Sequence, residues 1–106
     1  MEKAIQILGT EYKVKTDNSI ADDGLDGMCK TYDKVILIRD IENMLCKSDS
    51  TDVKKVRYDE TMRHEIVHAF FHESGLSDYC ADERLVDWIS TQFPKMLAIF
   101  KNLGVV

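Results

Sequence analysis

Apolar and polar residues alternate at period two near the start of the chain, with Ile5 and Ile7 and then Tyr12 and Val14 on one side. That spacing predicts two short strands over residues 4–8 and 11–14, turned by Gly9-Thr10. Residues 17–24 are acidic and carry turn formers, which predicts a loop. Its spaced aspartates lack the regular ligand pattern and closing glutamate of a calcium-binding loop. Residues 25–31 are a further strand candidate, and Val35–Ile38 is a continuous β-branched run that predicts a strand covered on both faces. Asp33-Lys34 can close a hairpin between them. Residues 39–50 are polar apart from Ile41, Met44 and Leu45, whose spacing allows one short helical segment before a loop at 47–50.

The period then lengthens. Met62, Ile66, Ala69 and Phe70, with Val67 and Phe71 beside them, predict a largely buried helix that begins between Thr51 and Tyr58 and stops at Ser74-Gly75. Ser77 or Asp78 can cap a second helix running toward Phe93, which carries Asp82, Glu83 and Asp87 among Leu85, Val86, Trp88 and Ile89. Pro94 is expected to interrupt it. A last amphipathic helix, with Met96, Ile99, Phe100 and Leu103 at three-to-four spacing, ends at Gly104.

The first of these helices holds all three histidines of the chain. His64 and His68 stand one turn apart on nearly the same face, so both imidazoles can reach one ion, and Glu65 lies beside the first. A largely buried helix does not keep two histidines and a glutamate without partners. Zinc takes histidine nitrogens at about 2.0–2.1 Å, and a catalytic zinc site uses three protein ligands with one position left open. His72 continues the four-residue series, but it sits about 12 Å along the axis from His64, too far for a straight helix to share an ion. A carboxylate from the second helix is the better third ligand. Glu83 has the reach, with Asp82 as the alternative, and Asp87 lies one turn beyond Glu83 on the same face. There Asp87 can accept the other ring N–H of a ligating histidine, His64 in the first instance. The competing reading of Glu83 and Asp87 is an ordinary solvated helix face beside Arg84.

Composition narrows the function classes. At 106 residues and 44% hydrophobic content the chain is expected to form one small domain with one core. A net charge of −5 argues against a nucleic-acid partner. Lys54, Lys55 and Arg57 form the one basic cluster, followed directly by Asp59 and Glu60, and suggest a solvated helix face. Residues 1–15 mix charged and apolar side chains, unlike a secretory leader, and no apolar run approaches the ~20 residues that span a bilayer. A cytoplasmic protein without membrane partners is expected. Three widely spaced cysteines, Cys29, Cys46 and Cys80, suit reduced, packed thiols, and Cys80 falls close to a candidate ligand.

His64-Glu65-x-x-His68 followed by Glu83-x-x-x-Asp87 resembles the gluzincin arrangement of zinc peptidases. The small size, the strands ahead of the motif and the continuation Ala69-Phe70-Phe71-His72-Glu73-Ser74-Gly75-Leu76 resemble the minimal, ImmA/IrrE-like metallopeptidases often carried by phages. The likeness covers about residues 25–93. It implies an α+β fold, a small twisted, mainly antiparallel sheet of three to four strands packed on the HExxH helix and a second, Glu-bearing helix. It implies that His64, His68 and Glu83 hold Zn2+, that Glu65 is the general base and that Asp87 supports a ligand. The substrate would be a peptide or protein, aligned along an edge strand from residues 25–31 or Val35–Ile38. No oxyanion donor is obvious; Tyr79 has the right group, but a packing role suits it better. A zinc-stabilised binding or adaptor module with little turnover is the alternative function.

Overall fold

The computed structural model describes residues 1–106. Four strands form a mixed sheet in the order β1-β2-β4-β3: β1 (Glu2–Ile7), β2 (Thr10–Thr16), β3 (Gly27–Lys30) and β4 (Val35–Ile38). β1 with β2 and β3 with β4 are antiparallel, whereas β2 and β4 run parallel. The β1–β2 turn is Leu8-Gly9, one residue earlier than the sequence predicts. Both residues take positive φ (50° and 87°), as a two-residue turn matched to strand twist requires.

Ile5, Ile7, Tyr12, Val14, Ile36 and Ile38 line one face of the sheet at the expected period of two. The long helix α1 (Thr51–Glu73) lies on that face through Tyr58, Met62, Ile66 and Ala69. Ser50 starts it, its hydroxyl accepting from the Val53 N–H, and Gly75 ends it with φ of 76°. The opposite face has no helix layer, so Val35 and Leu37 are only half-buried and β4 is not covered on both sides as its composition predicts. β4 is also a central strand, which leaves β3 as the edge on this side.

Two polar clamps hold α1 on the sheet. At its C-terminal end the fully buried Tyr12 donates its hydroxyl to Glu73 Oε2 at 2.6 Å, and Lys34 Nζ donates to the same oxygen at 2.6 Å. Nearer its start, Arg57 grips the buried Asp26 with Nε at 2.7 Å and Nη2 at 2.6 Å. Asp26 also accepts the Leu45 N–H at 2.7 Å. The basic cluster is therefore not wholly a solvated face: Arg57 reaches across to the segment that leads into β3.

After α1 the chain makes one helical turn, α2 (Ser77–Cys80), then enters α3 (Glu83–Asn102). Ser77 and Asp78 do not start the long helix. Asp82 does, its carboxylate accepting the Leu85 N–H at 3.1 Å, which makes Glu83 the first helical residue. Nor does Pro94 break it, since α3 runs through the proline as one helix. Proline leaves the carbonyl four residues back without its N–H partner. That carbonyl belongs to Ser90, and Arg63 Nε donates to it at 2.7 Å. A side chain of α1 thus replaces the missing backbone bond and ties the helices together. α3 packs on α1 and α2, so the second helix is a third layer beyond α1 and not part of the sheet's cover. No helix is long and apolar enough to cross a membrane.

Candidate metal centre

His64 and His68 project from one face of α1 toward the first turn of α3. Their rings meet edge to face, with centroids 4.7 Å apart and the two Nε2 atoms 3.1 Å apart. Glu83 closes the group: Oε2 lies 3.0 Å from His64 Nε2, and Oε1 lies 2.9 Å from His68 Nε2. The structure thus brings His64, His68 and Glu83 together as a set able to hold a metal ion. Asp82 is occupied as the cap of α3. His72 points elsewhere, its ring edge-on to Tyr32 with centroids 5.3 Å apart.

The far sides of both rings are spoken for. His64 Nδ1 lies 2.8 Å from Asp87 Oδ1. His68 Nδ1 lies 2.6 Å from the carbonyl oxygen of Cys80. That carbonyl sits at the end of the single-turn α2, where helical carbonyls lack partners of their own. A carbonyl and a carboxylate only accept, so each neutral ring carries its proton on Nδ1 and turns a bare lone pair inward. Two lone pairs and a largely exposed carboxylate then converge within about 3 Å of one another, an arrangement that a cation placed among them would stabilise. A proton relieves one pair of these atoms; a metal cation relieves all three. The separations also suit zinc, whose tetrahedral ligands at about 2.0–2.1 Å stand about 3.3 Å apart. The donor set, two imidazoles and one carboxylate, fits that ion.

Glu65 is buried, 6% exposed, with Oε2 3.9 Å from His64 Nε2. Burial pushes its carboxyl up to about 7, opposed by the nearby His64 and assisted by Glu83. Its position depends on a residue that periodicity could not single out. A Cβ on Gly27 would stand 2.7 Å from Thr61 Cγ2 and 3.0 Å from Glu65 Cγ. The edge strand β3 can approach the motif helix this closely only because residue 27 has no side chain.

Two hollows flank the group. One, about 390 Å³, lies between β3 and the His64–His68–Glu83 group, and Met28, Cys29 and Thr31 share it with His68 and Glu83. The other, about 320 Å³, is more polar and lies between Arg57, Glu60, Thr61 and Asp87. Gly27, His64 and Glu65 line both. Cys80 faces the first hollow, but its Sγ is 3.9 Å from Nδ1 of His68, the nitrogen turned away from the ligand group. Tyr79 does not face the site as a donor would be required to; it is half exposed and packs at a tilt on Phe71, centroids 5.8 Å apart. Comparison with protein-family models, curated proteins and solved structures finds no match for this chain.

Proposed function

We propose that this chain is a zinc-dependent peptidase of the small gluzincin, ImmA/IrrE-like kind, with His64, His68 and Glu83 as metal ligands and Glu65 as general base. The observation that carries this reading is the convergence of three lone-pair donors whose other polar atoms are already tied down. Bound there, the metal would supply Lewis acidity toward a scissile carbonyl and acidify a water. Glu65, buried beside the ligand set, takes a proton from the attacking water and returns it to the leaving amine. Asp87 and the Cys80 carbonyl hold the two rings in the tautomer that leaves Nε2 free. β3 is paired on one side only, so its free edge offers main-chain groups to an extended peptide lying along the hollows.

The test is cleavage of a peptide library by zinc-loaded wild type and by Glu65→Gln. Cutting by the first and not the second supports the reading; metal binding by both with cutting by neither overturns it. That second result would favour a zinc-stabilised adaptor, the reading to which Tyr79 lends weight by packing on Phe71 instead of facing the site.

A further inference from the structure

α3 carries more apolar surface than the rest of the fold covers. Leu85, Ile89, Gln92, Met96, Ile99 and Leu103 follow one another at alternating intervals of four and three residues, the spacing of a coiled-coil seam. α1 packs on the neighbouring face, the one holding the buried Val86 and Ser90, and Leu85, Ile89 and Gln92 in the first half of the seam are themselves half-buried. Facing solvent instead are Trp88 at 56% exposure, Phe93 at 47%, Met96 at 37%, Ile99 at 60%, Phe100 at 39% and Leu103 at 69%. Large side chains offer about 150–250 Å² each, so half exposure of six leaves about 600 Å² of apolar surface in water, the upper end of what a monomer shows.

We propose that this face is covered by the same face of a second copy, the two α3 helices packing antiparallel. The area matches: a stable interface buries about 800 Å² per partner, of which about 65% is apolar in homodimers. The seam matches as well. An antiparallel pair centred on Pro94 sets Leu85 of one copy against Leu103 of the other, Ile89 against Ile99, and Gln92 against Met96, a self-complementary contact that closes on itself. Antiparallel packing also opposes the two helix dipoles. Beside the seam, an open apolar groove of about 440 Å³ runs between Val67 and Phe70 on α1 and Ile89 and Phe93 on α3.

Sedimentation of the reduced 106-residue protein across a dilution series tests this. The expected result is a species of twice the chain mass, with self-association weakened about 100-fold by Ile99→Glu or by Leu103→Glu, while circular dichroism stays native because both positions lie outside the protein's own core. Leu8→Glu, on the β1–β2 turn, leaves the mass unchanged. A wild-type monomer at every concentration overturns the proposal, as does a dimer indifferent to both α3 substitutions. A monomer that co-sediments with anionic phospholipid vesicles overturns it in favour of a membrane surface. Rapid self-cross-linking of Leu103→Cys overturns the antiparallel arrangement, which places those two positions at opposite ends.

Discussion

Nδ1 of His68 donates to the main-chain carbonyl of Cys80 at 2.6 Å, whereas Nδ1 of the neighbouring His64 donates to a side chain, Asp87, at 2.8 Å. The two imidazoles are therefore oriented by unlike groups, and mutation separates them. Asp87→Ala should weaken zinc binding about 10–100-fold, the usual cost of losing a ligand's hydrogen-bond partner. Cys80→Ala keeps the carbonyl and should leave affinity within about twofold. Competition with a chromophoric chelator measures both; equal losses would mean that the thiol, not the carbonyl, matters.

Removing a ligand should remove both metal and stability. Chelation of wild type is expected to lower Tm, because a ligand present at about 1,000 times its Kd stabilises the folded state by about 4 kcal/mol. His68→Ala should bind no stoichiometric zinc and melt at one temperature with and without chelator. Calorimetry and elemental analysis check this. A wild type indifferent to chelator would dispose of the metal site.

Glu65 is a carboxylate held where burial opposes its charge. In the chelated protein Glu65→Gln should therefore raise Tm while retaining zinc affinity when metal is restored. The exchange of function for stability has a direction here. A lower Tm for the chelated variant would show that the charge is better satisfied than its surroundings indicate.

Gly27→Ala should be among the more damaging single-atom additions to this chain. The new methyl meets the stiff, β-branched Thr61 at 2.7 Å and the Glu65 stem at 3.0 Å, so strand and helix must separate. Overpacking of this kind costs about 1–3 kcal/mol. Urea denaturation measures the loss, and a normal midpoint would show that β3 can move aside freely.

The pH dependence of stability should report the clamp at the end of α1. The Lys34 ammonium, and after it the Tyr12 hydroxyl, hold the Glu73 carboxyl at about 2, below its ordinary 4.5. A depressed carboxyl stabilises the fold above its unfolded value and loses that contribution as pH falls through the folded one. Wild type should melt above Glu73→Gln at pH 7, and the gap should narrow from pH 4.5 toward pH 2. A gap that does not change over that window would mean that the ion pair with Lys34 contributes nothing.

Local pattern carried a good part of this molecule. Ile5, Ile7, Tyr12 and Val14 gave away their strands because a sheet covered on one face imposes period two. The juxtaposition of His64, His68 and Glu83 followed from a one-turn spacing on one helix and an acid on the next. Strand order is not written in local pattern, which is why Val35–Ile38 could be taken for an edge when it lies between β2 and β3. The interruption expected at Pro94 failed for a similar reason: the group that rescues the helix, Arg63, lies 27 positions before the Ser90 carbonyl it bonds. Asp82 displaced Ser77 as the start of the long helix because the chain first spends one turn on α2, and that turn presents the carbonyl His68 needs. α1 is also less enclosed than its apolar content implies, with Phe70 42% exposed on the groove beside α3.

Arg63 immediately precedes His64, and its grip on α3 is a main-chain oxygen, not a side chain. The lengthwise alignment of the two rods, and with it the meeting of Glu83 and the imidazoles, is thereby indexed to the position of an imino acid. Neighbouring side chains on α3 can change without moving that index point. Exchanging Pro94 for any residue with an amide proton would give the Ser90 oxygen a competing donor from within its own helix, and Arg63 would lose its exclusive claim to it.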